Sequence, residues 1–207
     1  MRYRNRKSLL RSGFSANVQS TGSFKCPKCE KKSYYRLVRV MRAVKVGSWS
    51  LLPYRRADEY VECRTCFSTY RPDVLLPESK WWGVKPVHLW ASRRVMVLMM
   101  LADGVMEESE IRTIRKVYNE IGGGQLPASA IRTEAEHAKA DARDLRAFLH
   151  AMAPRLNERG KLAVIHSAYQ VAAADGQFQQ EEQALMRELV DVLDMDRDPF
   201  RVLGITM

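Results

Sequence analysis

Cysteine is scarce in this chain and tightly confined: all four residues fall between positions 26 and 66. Histidine is equally scarce, and His88, His137, His150 and His166 are scattered with no HExxH pairing, which removes a zinc-protease helix. Glu134 and His137 form one Glu-x-x-His unit, whereas a carboxylate-bridged di-iron bundle needs two. No GxxxxGK stretch is present, and Gly122-Gly123-Gly124 is not followed by the lysine that a phosphate cradle requires. Met96, Met99, Met100 and Met106 belong to an apolar stretch and read as core rather than as copper ligands. Long apolar runs are missing too: the longest, VMVLMMLA at 95–102, is far too short to span a bilayer. The basic start MRYRNRKSLLRSGFS has no apolar region behind it and so is not a secretory signal. These absences point to a cytoplasmic, non-enzymatic protein with no small-molecule substrate.

What is present divides in two. Residues 1–80 hold 18 Lys+Arg against 6 Asp+Glu, so the net charge of +10 belongs to the amino-terminal part. The remainder carries a slight acidic excess. Such asymmetry suggests two modules with different partners, the basic one facing something anionic.

The cysteines form two CxxC pairs, Cys26-Pro27-Lys28-Cys29 and Cys63-Arg64-Thr65-Cys66, separated by 33 residues. A CxxC knuckle curls so that both sulfurs face one point, and two knuckles complete a tetrahedral thiolate site for Zn²⁺. Structural disulfides are out of place in a cytosolic chain, and a redox CxxC needs only one pair. Four thiolates on zinc leave no open coordination position, which makes the site structural. Between the knuckles, residues 33–46 are β-branched and aromatic and read as a strand, as does 58–63, with 69–72 set to pair with it. Residues 24–72 resemble a zinc ribbon, although Glu30 and Phe67 stand where a glycine usually follows each knuckle.

Arg36, Arg39, Arg42, Lys45, Arg55 and Arg56 are candidates to meet phosphates, and Tyr34, Tyr35, Trp49 and Tyr54 to stack on bases. The plainer reading of the same residues is a solvated basic face around a small zinc core. Both stand at this point, because a basic patch alone is only an electrostatic footprint.

From Pro86 the periodicity becomes helical. Helix pairs are expected at 88–101 with 107–121, and at 161–174 with 180–193, with one or two more helices between them. Each pair contains Asp-Gly-x-apolar-x-x-x-Glu: Asp103 to Glu110, and Asp175 to Glu182, 72 positions on. The pattern matches the second half of a calcium-binding EF-hand loop, but Met99, Leu101, Val171 and Ala173 occupy positions where a hard cation wants oxygens. Three readings remain. The turns cap helices, or Asp103 with Glu110 and Asp175 with Glu182 each hold Ca²⁺ or another divalent cation, or the two turns fall near each other and pool all four carboxylates.

With both turns in register, LADGVMEESEIRTI and AAADGQFQQEEQAL resemble the signature turns of the tellurite-resistance TerB family, over roughly residues 86–202. The resemblance implies an all-helical domain of two helix-pair halves, an acidic surface open to divalent metal, a place in bacterial stress-response or defence-type systems, and no established catalysis. The expected fold is mainly α, with a small β zinc ribbon at the amino terminus. The expected layout is a basic tail at 1–23, the ribbon at 24–76, a linker at 77–86 and the helical domain at 87–207. The expected function is a metal-binding adaptor that recognises a protein partner; the alternative is a nucleic-acid-binding or regulatory protein that grips the phosphate backbone through the ribbon.

Overall fold

A computed structural model describes residues 14–42, 55–76, 84–102, 104, 106–140, 145–174, 180–195 and 199–204. The chain divides into two compact units, Met1–Val84 and Lys85–Met207.

The first unit is an antiparallel sheet in the order β1 (Phe14–Lys25), β2 (Lys32–Arg42), β3 (Arg55–Cys63) and β4 (Thr69–Tyr70). Strand alternation gives the sheet two different faces. On one, Phe24, Val61, Cys63 and Tyr70 bury a small core with Cys26 and Val74. On the other, Val38, Val40 and Tyr60 form a separate buried cluster. Burial pushes the Tyr60 phenol up to about 12, aided by the neighbouring Glu62.

The expected boundary between tail and ribbon needs correction. β1 begins at Phe14, inside the segment assigned to a tail, and pairs with β2 from Phe14↔Arg42 to Lys25↔Lys32. Its sequence, FSANVQSTGSFK, is built largely of small polar residues and carries little strand signal of its own. The β-branched and aromatic β2 supplies a ladder on which such a strand can form.

The second unit consists, among its described residues, of α1 (Val87–Met100), α2 (Glu108–Glu120), α3 (Ala128–Ala140), α4 (Leu145–Met152), α5 (Glu158–Ala172), α6 (Gln180–Leu193) and α7 (Pro199–Leu203). Adding 72 to α1 and α2 reproduces α5 and α6 to within a residue, so the repeat in sequence is a repeat of helix pairs. The equivalent helices also end alike. Leu101 N–H donates to Val97 O and Ala102 N–H to Met99 O; Ala173 N–H donates to Tyr169 O and Ala174 N–H to Val171 O.

α1 is buried around most of its circumference, including Val95, Met96, Val97, Met99 and Met100, which marks it as the central helix. Its most extensive packing is against α5, with α2, α3 and α4 completing the surround. Fully buried side chains such as Ile114, Leu149, Ile165 and Leu189 each contribute about 1.5–3 kcal/mol relative to exposure. After α2 the chain turns at the three glycines. A Cβ on Gly123 would stand 2.3 Å from the Tyr118 ring, so only glycine allows that ring to close over the turn. Asn157 starts α5, accepting from Gly160 N–H at 2.9 Å.

Candidate metal centre

The two knuckles are built alike. Cys26 N–H donates to Lys31 O and Glu30 N–H to Cys26 O; Cys63 N–H donates to Ser68 O and Phe67 N–H to Cys63 O. Closing such a turn forces the residue after the second cysteine into the left-handed region, where φ is 55° at Glu30 and 59° at Phe67. The knuckles therefore keep the geometry that glycine usually eases, at the cost of local strain.

β1, β2, β3 and β4 bring the pairs together. The four sulfurs lie within 4.8 Å of one another. Cys26 Sγ is 3.8 Å from Cys66 Sγ, and Cys29 Sγ is 4.0 Å from Cys63 Sγ. A tetrahedron with Zn–S bonds of about 2.3 Å has an edge of about 3.8 Å, so the set fits a four-coordinate metal. None of these separations approaches the disulfide length of about 2.05 Å, and all four cysteines are free. Cys26 and Cys63 are fully buried, whereas Cys29 and Cys66 are partly exposed. The site thus has an inner and an outer pair of sulfurs.

The thiols are tuned unequally. Burial pushes Cys26 up, and pushes Cys29 up to about 12 with help from Cys66 and Cys26 beside it. Burial also acts on Cys63, but the backbone N–H groups of Cys66 and Thr65 outweigh it and bring that thiol down to about 7. Thr65 N–H lies 3.4 Å from Cys63 Sγ. At the equivalent place in the first knuckle, Lys28 N–H donates instead to Tyr70 Oη at 3.3 Å, and Tyr70 Oη lies 3.4 Å from Cys26 Sγ. Tyr70 is fully buried and edge-packed on Phe24. Its burial raises the phenol's proton affinity, which keeps it a donor towards a Cys26 thiolate. Nothing but the position of Tyr70 four residues after Cys66 hinted at this role in the sequence.

The other candidates are distributed differently. Glu110 is the third residue of α2, and its carboxylate accepts from Glu107 N–H at 3.0 Å in a capping box. Glu182 holds the same place in α6 and is buried. Gly104 is left-handed, with φ 83°, after the end of α1. The described part of the first turn therefore performs capping; Asp103 and Asp175 lie outside the described residues. Among the described residues, the four cysteines are the one set of His, Cys, Asp or Glu side chains close enough together to hold an ion.

Arg36 and Arg39 are each paired across the sheet. Arg36 Nε lies 2.9 Å from Glu62 Oε1, and Arg39 Nε donates to Glu59 Oε1 at 2.7 Å. Lys45 and the side chains of Arg42, Arg55 and Arg56 lie outside the described residues. His88 is buried, His137 and His150 are exposed, and His166 meets Gln170 at 3.2 Å. Glu134 pairs with Arg93 at 2.6 Å and lies 3.8 Å from Arg94, so its carboxylate serves the α1–α3 packing.

A family model described as tellurite resistance protein TerB matches residues 90–204. No curated protein and no solved structure matches the chain.

Proposed function

The chain belongs to the tellurite resistance TerB family, and from that premise we propose that it is a non-enzymatic, metal-stapled adaptor of the bacterial cytoplasm, acting in a stress-response or defence-type assembly. The observation that carries this reading is the cluster of four cysteine sulfurs within 4.8 Å of one another. Cys26, Cys29, Cys63 and Cys66 use every coordination position of a four-coordinate ion, which leaves none for substrate or water. Zinc suits four thiolates best, and bound there it supplies folding energy to a sheet whose buried core is small. The helical unit, with its own core, then serves as the recognition domain for a protein partner, and Asp103, Glu110, Asp175 and Glu182 are its proposed second, weaker site for Ca²⁺ or a similar hard cation.

Metal analysis of freshly purified, reduced protein tests the proposal directly. About one zinc per chain is expected. Cys63→Ser is expected to abolish it and to unfold the sheet, while the helical unit melts as before. Protein that arrives without zinc, or a variant that keeps it, overturns the reading.

A further inference from the structure

We infer that the open face of the sheet around Tyr34 is a docking surface for single-stranded nucleic acid. The proposal goes beyond the adaptor reading and does not require the helical unit to have any particular partner.

The register of the strands sets out this surface in rows. Lys25 stands opposite Lys32; Ser23 stands opposite Tyr34; Thr21, Arg36 and Glu62 stand side by side. Arg64 N–H donates to Tyr34 O at 2.8 Å, which places Arg64 next to Tyr34 beyond the end of β3. Residues directly opposite share a face, as do residues two apart along a strand. Tyr34 therefore lies between Lys32 and Arg36 along β2 and between Ser23 and Arg64 across the sheet, with Lys25 on the diagonal. It is 75 % exposed, the most exposed of the large apolar side chains among the described residues. On β2 and β3 the same face goes under at Val38 and Tyr60, while Val18, opposite Val38 on β1, stays exposed.

Three features favour a nucleic acid over an acidic protein segment. The flanking β1 residues, Ser23 and Thr21, are small and leave one side of the Tyr34 ring open to a flat base. Among the described residues, the side chains directly beside Tyr34 on this face, Ser23, Lys32, Arg36 and Arg64, are polar or charged. The guanidiniums are also held in place. Glu62, almost completely buried, lies 2.9 Å from Arg36 Nε and 3.7 Å from Arg64 Nη1, and Arg64 rests 5.7 Å from the centre of the Phe67 ring. One carboxylate positions two cations, and the surface keeps a positive excess. The sequence offered Tyr34 and Arg36 for such a role but not Lys25, Lys32 or Arg64, which the register brings to them.

Fluorescence anisotropy with the zinc-loaded full chain and labelled dT and U oligonucleotides tests the inference. Tyr34→Ala is expected to weaken binding about tenfold, in the range set by loss of one stacked base, whereas Tyr34→Phe keeps the ring and stays within about twofold. Arg64→Ala is expected to flatten the dependence of log K on log salt by about 0.7. Zinc content and circular dichroism of each variant confirm that the sheet is intact, so a failure here is distinct from failure of the metal site. The inference is overturned by absence of binding at low salt, by Tyr34→Ala binding as wild type does, or by polyglutamate displacing the oligonucleotide at equal charge, which would mark an acidic protein as the occupant.

Discussion

Gly160 of α5 lies against His88 of α1: a Cβ on Gly160 would stand 3.6 Å from the His88 Cβ. The two positions are 72 apart, the spacing of the repeat. Both lie at the amino-terminal ends of their helices. Helices that meet there and still pack extensively must run side by side in the same direction. Leu101-Ala102 and Ala173-Ala174, which lead towards the two acidic turns, therefore leave from the same end of the pair.

That common end makes the proposed cation site testable as a unit. Titration with Ca²⁺, Mg²⁺ and Mn²⁺ is expected to raise the melting temperature of wild type, with an affinity on the order of 10⁻⁴ M as befits few charged ligands. Asp103→Asn with Asp175→Asn is expected to remove that gain and otherwise cost little, since asparagine keeps an acceptor for capping. Equal stabilisation of wild type and double variant by saturating metal would leave the turns as caps.

Glu30 and Phe67 sit in the same strained conformation but predict opposite outcomes. Glu30→Gly relieves the left-handed penalty, offset by the freedom glycine gains when unfolded, and is expected to stabilise the sheet by up to about 1 kcal/mol. Phe67→Gly also removes the ring over which Arg64 lies, and is expected to destabilise. Thermal or denaturant unfolding of the zinc-loaded protein gives both signs.

Tyr70→Phe leaves the ring against Phe24 and removes only the hydroxyl between Lys28 N–H and Cys26 Sγ. Transfer of zinc to a chelator is expected to become about tenfold faster, the lower end of what outer-shell partners usually contribute. A cobalt-loaded sample should show a shifted thiolate charge-transfer band. Unchanged transfer and an unchanged band would reduce Tyr70 to packing.

The thiols give the metal site a pH signature. Cys26 and Cys29 are raised, so protons compete with metal for them throughout the neutral range. Cys63, lowered to about 7, is already a thiolate above that pH and becomes a competitor for protons below it. Zinc affinity should therefore fall with pH, and its slope should steepen by about one proton per metal as pH drops through 7. Chelator competition between pH 6 and 9 measures this; a break near the ordinary thiol value instead would contradict the lowering of Cys63.

Much of this was legible in sequence for a physical reason. The cysteine pairs act through local turns, and the helix pairs through a 3.6-residue rhythm, so both leave marks over a few neighbouring residues. Pairing across the sheet leaves none. Arg36 and Arg39 read as free cations because their carboxylates, on Glu62 and Glu59, are 26 and 20 residues away. β1 went unread for the same cause: its partner, not its composition, makes it a strand. Glu110 presented a capping and a liganding reading together, and only the position of Glu107 N–H separates them on the described residues.

The side-by-side packing of α1 and α5 also bears on how the two halves came to differ. A half made of α1 and α2 alone would expose most of its central helix, so its natural complement is another half. The two halves are joined in one chain, and α1 of one packs most extensively on α5 of the other. Joining them releases a constraint that identical subunits cannot escape, because each copy can then take a different residue at the same place. Met96 and Met100 are matched by Ala168 and Ala172, all at most 1 % exposed. Bulk in one copy is balanced by its absence in the other, a division of volume open only to a fused pair.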